Sequence, residues 1–226
     1  MHPPSDTHDA ASTQPIHVTI TYARPDDSGL RALATRAYAH DFAGALRLRR
    51  HNENTVEVFA STKLDTLVSR RFAATMDCED AVIRTQAATQ HPDEHGVFTA
   101  VTCPAAWTGP LPPQEGFTLV EDLPVDTFLQ LSRDNKQQTT SDKMPTSLLN
   151  QDVITVNNDA TGTQAIVANR MVLTLDAFGL LPKTTGTEGS KHYPPVVRVS
   201  VRGRWVRLDT VFASVYYNRG GHLLVL

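Results

Sequence analysis

The chain has 226 residues, 40% hydrophobic, 20% charged and 7% aromatic, a composition that excludes disordered and fibrous classes and leaves one large or two small domains with mainly aliphatic cores. A net charge of −3 supplies no global field to gather nucleic acid or anionic membrane. Electrostatics therefore argue against both as partners unless a local basic patch exists.

The 16 arginines against 5 lysines, with abundant Ala, Thr, Val and Asp, match the bias of a GC-rich bacterial genome. Residues 1–15 mix Pro, Ser, Thr, His and Asp without periodicity and read as a flexible tail. They lack a basic n-region and an apolar h-region, and no run approaches about 18 apolar residues. The expectation is a cytoplasmic protein with no membrane partner. Cys78 and Cys103 have no CxxC spacing for zinc and read as reduced thiols that a hairpin of 80–87 with 97–103 would bring to one end of a sheet.

Residues 16–22 alternate Ile16, Val18, Ile20 and Tyr22 with polar residues, the period of a half-buried strand. After Pro25, Leu30, Leu33, Ala34, Ala37, Tyr38 and Phe42 recur at helical spacing up to Gly44. Residues 45–60 alternate about a polar centre and predict a hairpin. Leu64, Leu67, Val68, Arg71, Phe72 and Met76 then predict a second helix with a Ser61 or Thr62 cap and with Arg70 and Arg71 at its solvent edge. A strand over 80–87 completes a β-α-β-β-α-β order, and 97–103 adds another strand.

The Pro- and Gly-rich segment 104–116 continues neither period and reads as a linker. Beyond it the same order recurs: a strand over 117–122, a helix over 125–136, a polar loop, a short helix over 145–149, a hairpin about 157–162, and a helix capped by Asn169 and stopped by Pro182. Glu121 and Asp122 are positioned to support the N-terminus of the helix that follows them. A β-meander over 195–217 ends this half, with LLVL as a further edge strand. The predicted fold class is therefore α+β: two small subdomains, 16–103 and 117–226, each of roughly β-α-β-β-α-β order with a mainly antiparallel sheet.

Motif tests assign no chemistry. The order of residues in 186–191 is wrong for a phosphate loop, there is no G-x-S-x-G elbow, and neither cysteine has a neighbouring histidine. His91, Asp93 and His95, with Glu94, are the densest group of metal-ligand types, but Pro92 makes this segment a turn rather than a helical i, i+4 site. No cofactor is expected.

The meander carries the sharpest chemical feature. A turn at Arg202 and Gly203 would set Val199 against Val206, Val197 against Leu208, Arg198 against Arg207 and Ser200 against Trp205, so that like charges oppose. Arg198, Arg202, Arg204 and Arg207 around Trp205 could then hold a small anion or a single-stranded base. Alternatively, each arginine pairs with a nearby carboxylate, Asp209 being nearest in sequence, and Trp205 packs under their stems. The functional expectation is a non-enzymatic protein–protein interaction or structural module, working with a protein partner or as a homo-oligomer. Two alternatives are an anion or nucleic-acid binding module using 198–207 and a transferase-like enzyme without a recognisable motif.

Overall fold

The computed structural model describes residues 16–25, 27, 29–138, 145–182 and 196–220. Strand His17–Tyr22 (β1) buries Val18, Ile20 and Tyr22, and helix Gly29–His40 (α1) buries Leu30, Leu33, Ala34 and Ala37, as periods of 2 and 3.6 require. Ala45–Asn52 (β2), Thr55–Ser61 (β3), Leu67–Met76 (β4), Asp80–Arg84 (β5) and Val97–Val101 (β6) follow. The second half runs Thr118–Pro124 (β7), Val125–Gln138 (α2), Thr146–Leu149 (α3), Asp152–Asn158 (β8), Thr163–Ala168 (β9), Asn169–Ala177 (α4), Val196–Arg202 (β10), Trp205–Asp209 (β11) and Ser214–Asn218 (β12). The fold is α+β with antiparallel strand pairs, and β10, β11 and β12 form the expected meander.

Ten strands form one sheet in the order β5-β2-β3-β4-β12-β11-β10-β7, with β1 joined to β4 and β6 beyond β1; β8 and β9 pair separately. The halves meet where β12 pairs with β4, Ser214 opposite Ser69 and Tyr216 opposite Leu67. β1 takes over that side of β4 only at Ala74–Met76. Residues 70–72 are therefore laddered to β3 alone.

The helices cover one sheet face, where Leu48, Val58, Val68, Phe72, Val199, Leu208 and Val215 join a single apolar cluster spanning both halves. Contact there is close: a Cβ on Gly29 would lie 2.5 Å from Phe72 Cβ, so only glycine lets α1 settle onto β4. The opposite face carries a polar lattice. Arg49 faces Glu57, Glu57 faces Arg71, Arg207 faces Tyr216, and Arg198 faces both Asp209 and Asp122 across the strands.

Several sequence expectations change here. The helix expected over 61–76 is β4: its buried Phe72, Ala74 and Met76 alternate with exposed Arg71, Ala73 and Thr75. Apolar residues at 68, 72 and 76 satisfy both periods, and pairing on both sides selects the strand. The first half therefore departs from the β-α-β-β-α-β order that the second half follows before its meander. Strand β5 pairs with β2 and β6 with β1, so the hairpin expected between 80–87 and 97–103 is reduced to one bridge, Ile83 with Thr102.

The meander turns at Gly203 and Arg204, one residue later than expected. Gly203 adopts φ +56°, fitting the first central position of a type II′ turn. Arg198 thus faces Asp209 and Ser200 faces Arg207, and the like-charge conflict disappears while the apolar residues keep their face. Asp122 bonds Arg198 rather than supporting α2. Asn169 opens α4 without capping it and instead exchanges amide hydrogen bonds of 2.8 and 2.9 Å with Asn135. The tail 1–15, the loop containing 186–191 and the terminal LLVL lie outside the described residues.

The Pro/Gly-rich segment runs as a strap across the polar face. Arg49 Nη1 donates to Pro112 O at 2.8 Å, Gln114 Nε2 reaches His51 O at 2.8 Å, and Arg202 donates to Glu115 O. Phe117 then packs edge-on to Tyr216 and beneath Arg207, whose guanidinium carbon sits 4.5 Å from the ring centre.

Candidate functional site

A cleft of about 590 Å³ opens at the seam between the halves. Ser69, Arg70 and Arg71 of β4 form one wall; Arg198, Arg207, Asp209 and the 210–214 connection of the meander form the other, with Val196, Val211 and Phe212 adding apolar surface. Arg70 and Arg71 extend from opposite faces of β4, yet both reach the cleft because the strand edge between β12 and β1 is open there.

Positive charge in the cleft is incompletely balanced. Arg198 makes a fork with Asp122, Nε to Oδ1 at 3.0 Å and Nη2 to Oδ2 at 3.2 Å, and this carboxylate holds the guanidinium pKa above its ordinary value. Arg207 Nε donates to Asp209 Oδ2 at 2.8 Å, while Ser214 Oγ donates to Asp209 Oδ1 at 2.6 Å. Arg71 lies 3.5 Å from Glu57, which Arg49 already holds at 2.9 Å. The Arg70 side chain makes no hydrogen bond or ion pair among the described residues.

Of the meander residues singled out in the sequence, only Arg198 and Arg207 line the cleft. Arg202 and Arg204 bond backbone carbonyls of Glu115 and Gly220 at the turn, and half-buried Trp205 stands between Arg202 and Asn218. Carboxylate pairing therefore holds for Arg198 and Arg207, and strap or chain-end contacts replace it for the other two. Sequence reasoning missed Arg70 and Arg71 because a helical reading of β4 put both on one solvent edge. Adjacent arginines on a strand would have pointed to both faces.

The other polar groups are structural. Ser69 Oγ donates to Glu57 Oε1 at 2.9 Å, but both residues are 1% exposed, out of reach of a substrate. Tyr216, donating to the same carboxylate, has its pKa pushed up by burial and then by the Glu57 charge. Burial and Asp77 likewise raise the Cys78 thiol, which disfavours the nucleophilic thiolate. Asp93 accepts from the backbone of His95 and Val97, making 91–95 a turn. Among the described residues, no group of three or more His, Cys, Asp or Glu side chains could hold a metal ion, and no helix is long and apolar enough to cross a membrane.

Comparison places this geometry among known proteins. Residues 17–111 match the model of a family described as "Domain of unknown function (DUF8010)", and residues 112–222 match "Domain of unknown function (DUF8185)". No curated protein matches by sequence. Among solved structures, the DNA polymerase III β subunit of Caulobacter crescentus superposes with a TM-score of 0.55 at 13% identity, covering 93% of this chain and 68% of that one. A C. crescentus DNA polymerase sliding clamp gives 0.54 at 13%, with 93% and 67% covered. The Thermotoga maritima DNA polymerase III β subunit gives 0.51 at 13%, with 92% and 65% covered. The chain thus has a two-domain, sliding-clamp-like fold and spans about two thirds of the length of these clamp chains. These solved structures, each named as a part of a DNA polymerase, share the fold with this chain at 13% identity.

Proposed function

We propose that the chain is a non-enzymatic structural and protein-interaction module that assembles with copies of itself. The observation carrying this reading is the superposition of nine-tenths of the chain on a sliding-clamp fold. The seam cleft adds support, because its ionisable residues are arginines, a carboxylate already bonded to one of them and Tyr216, which is buried, bonded to Glu57 and held protonated, a set suited to binding rather than to proton transfer or nucleophilic attack. Self-association is supported by the sheet edges: β7 exposes Leu119, and β6 exposes Val101 beside Ile16.

We also keep the division into a tail at 1–15, subdomains at 16–103 and 117–226 and a connecting segment at 104–116, supported by two family matches that meet between 111 and 112. A cytoplasmic location belongs to the same proposal. Light scattering from 1 to 100 µM tests the assembly. The expected mass is a multiple of 24.8 kDa; a monomer at every concentration contradicts the reading.

A second reading, contact with nucleic acid, is favoured by the polymerase clamps the fold resembles. It predicts salt-sensitive retention of duplex DNA, weakened in Arg70→Ala/Arg198→Ala. Retention that is absent at low salt excludes it.

A further inference from the structure

We infer that the seam cleft receives an extended acidic segment of a partner protein, added as a short strand against residues 70–72 of β4. The inference rests on the reading of the chain as an interaction module and specifies what its cleft takes. Three independent observations converge on this ligand class.

The first is an open strand edge inside the sheet. β12 leaves β4 after Ser69 and the chain beyond β1 rejoins it where Ala23 N donates to Ala73 O, so between them the N–H and C=O of Arg71 face away from β3 with no strand beside them. Unpaired backbone donors and acceptors on a strand edge are a template for an incoming extended chain. The second is charge. The Arg70 side chain has no partner among the described residues, Arg71 shares Glu57 with Arg49, and Arg198 and Arg207 line the opposite wall. Carboxylates of an added strand would meet guanidinium groups on both sides, each offering fork hydrogen bonds.

The third is the apolar surface of Val196, Val211 and Phe212, with Val211 39% exposed. Such a wall fits an aliphatic side chain placed between acidic ones; a phosphate backbone has no group to set against it. An extended chain alternates its side chains between two faces, matching arginines that project from both faces of β4. Together the edge, the charge and the apolar wall favour a peptide over a nucleic acid.

The test uses the full chain and a fluorescein-labelled octapeptide alternating glutamate and valine, followed by anisotropy. Saturable binding is expected. It weakens at least tenfold in Arg70→Ala, with an unchanged melting temperature because the Arg70 side chain makes no hydrogen bond or ion pair among the described residues. A peptide with lysine for glutamate does not bind, and one N-methylated at alternate amides in the register facing β4 weakens at least tenfold. No binding of the glutamate peptide, equal binding by Arg70→Ala, or equal binding of both N-methylated registers overturns the inference. Displacement by single-stranded DNA at lower concentration than by unlabelled peptide also overturns it, in favour of nucleic acid. An assembly of the expected mass that ignores the peptide refutes this inference alone, whereas a strict monomer refutes the underlying reading.

Discussion

Arg170 and His51 are the residues whose surroundings make the sharpest demands. Arg170 on α4 is 1% exposed and crosses the seam, with Nη1 donating to Leu64 O and Asp65 Oδ2 at 2.9 Å, Nη2 bonding Asn150, and Tyr217 lying 4.8 Å away under the guanidinium. Arg170→Ala removes all of these together with the packing of a fully buried side chain, so urea denaturation should show a loss of about 3 kcal/mol. A loss below about 0.5 kcal/mol would deny it that role. His51 has its pKa lowered, first by burial and then by the charges of Arg71 and Arg49, with Glu57 and Glu115 opposing. The unfolded chain takes up the proton first, so this contribution to stability is present above the ordinary imidazole value and is lost as pH falls below about 6.5. Between pH 7.5 and 5.0 the wild type should lose more melting temperature than His51→Asn. Equal losses would remove His51 from the account.

At the scale of elements, the seating of α1 on β4 and the strap across the polar face are open to the same kind of test. Gly29→Ala forces a Cβ against Phe72 and should cost about 1–3 kcal/mol, read by chemical denaturation. A neutral result would show that α1 shifts freely. Much of this layer was legible in the sequence. Ile16 to Tyr22, the Leu30–Leu33–Ala34–Ala37 spacing, the 45–60 hairpin and the apolar alternation of the meander each fit one period only, and each forms the element they predict. β4 was not legible, because Val68, Phe72 and Met76 fit two periods and the arbitrating partners, β12 and β1, are remote in sequence. The meander register turned on which residues flank Gly203, a one-position choice that preserves the apolar face but changes every cross-strand partner. The candidate site inherited both errors: Arg198 and Arg207 were found, whereas Arg70 and Arg71 needed the strand.

At the scale of the whole molecule, one sheet and one apolar cluster run through both halves, and the strap and Arg170 tie them again on either side of the seam. This continuity makes the chain a single clamp-like unit whose sheet ends at β7 on one side and, beyond β1, at β6 on the other. Sedimentation velocity of the wild type beside Leu119→Lys and Val101→Lys tests its proposed role most directly. An assembly at a multiple of 24.8 kDa that falls to the monomer in at least one edge variant, with melting temperature unchanged, is the predicted result. A wild type that sediments as a monomer throughout, or an assembly indifferent to both lysines, would contradict the proposal.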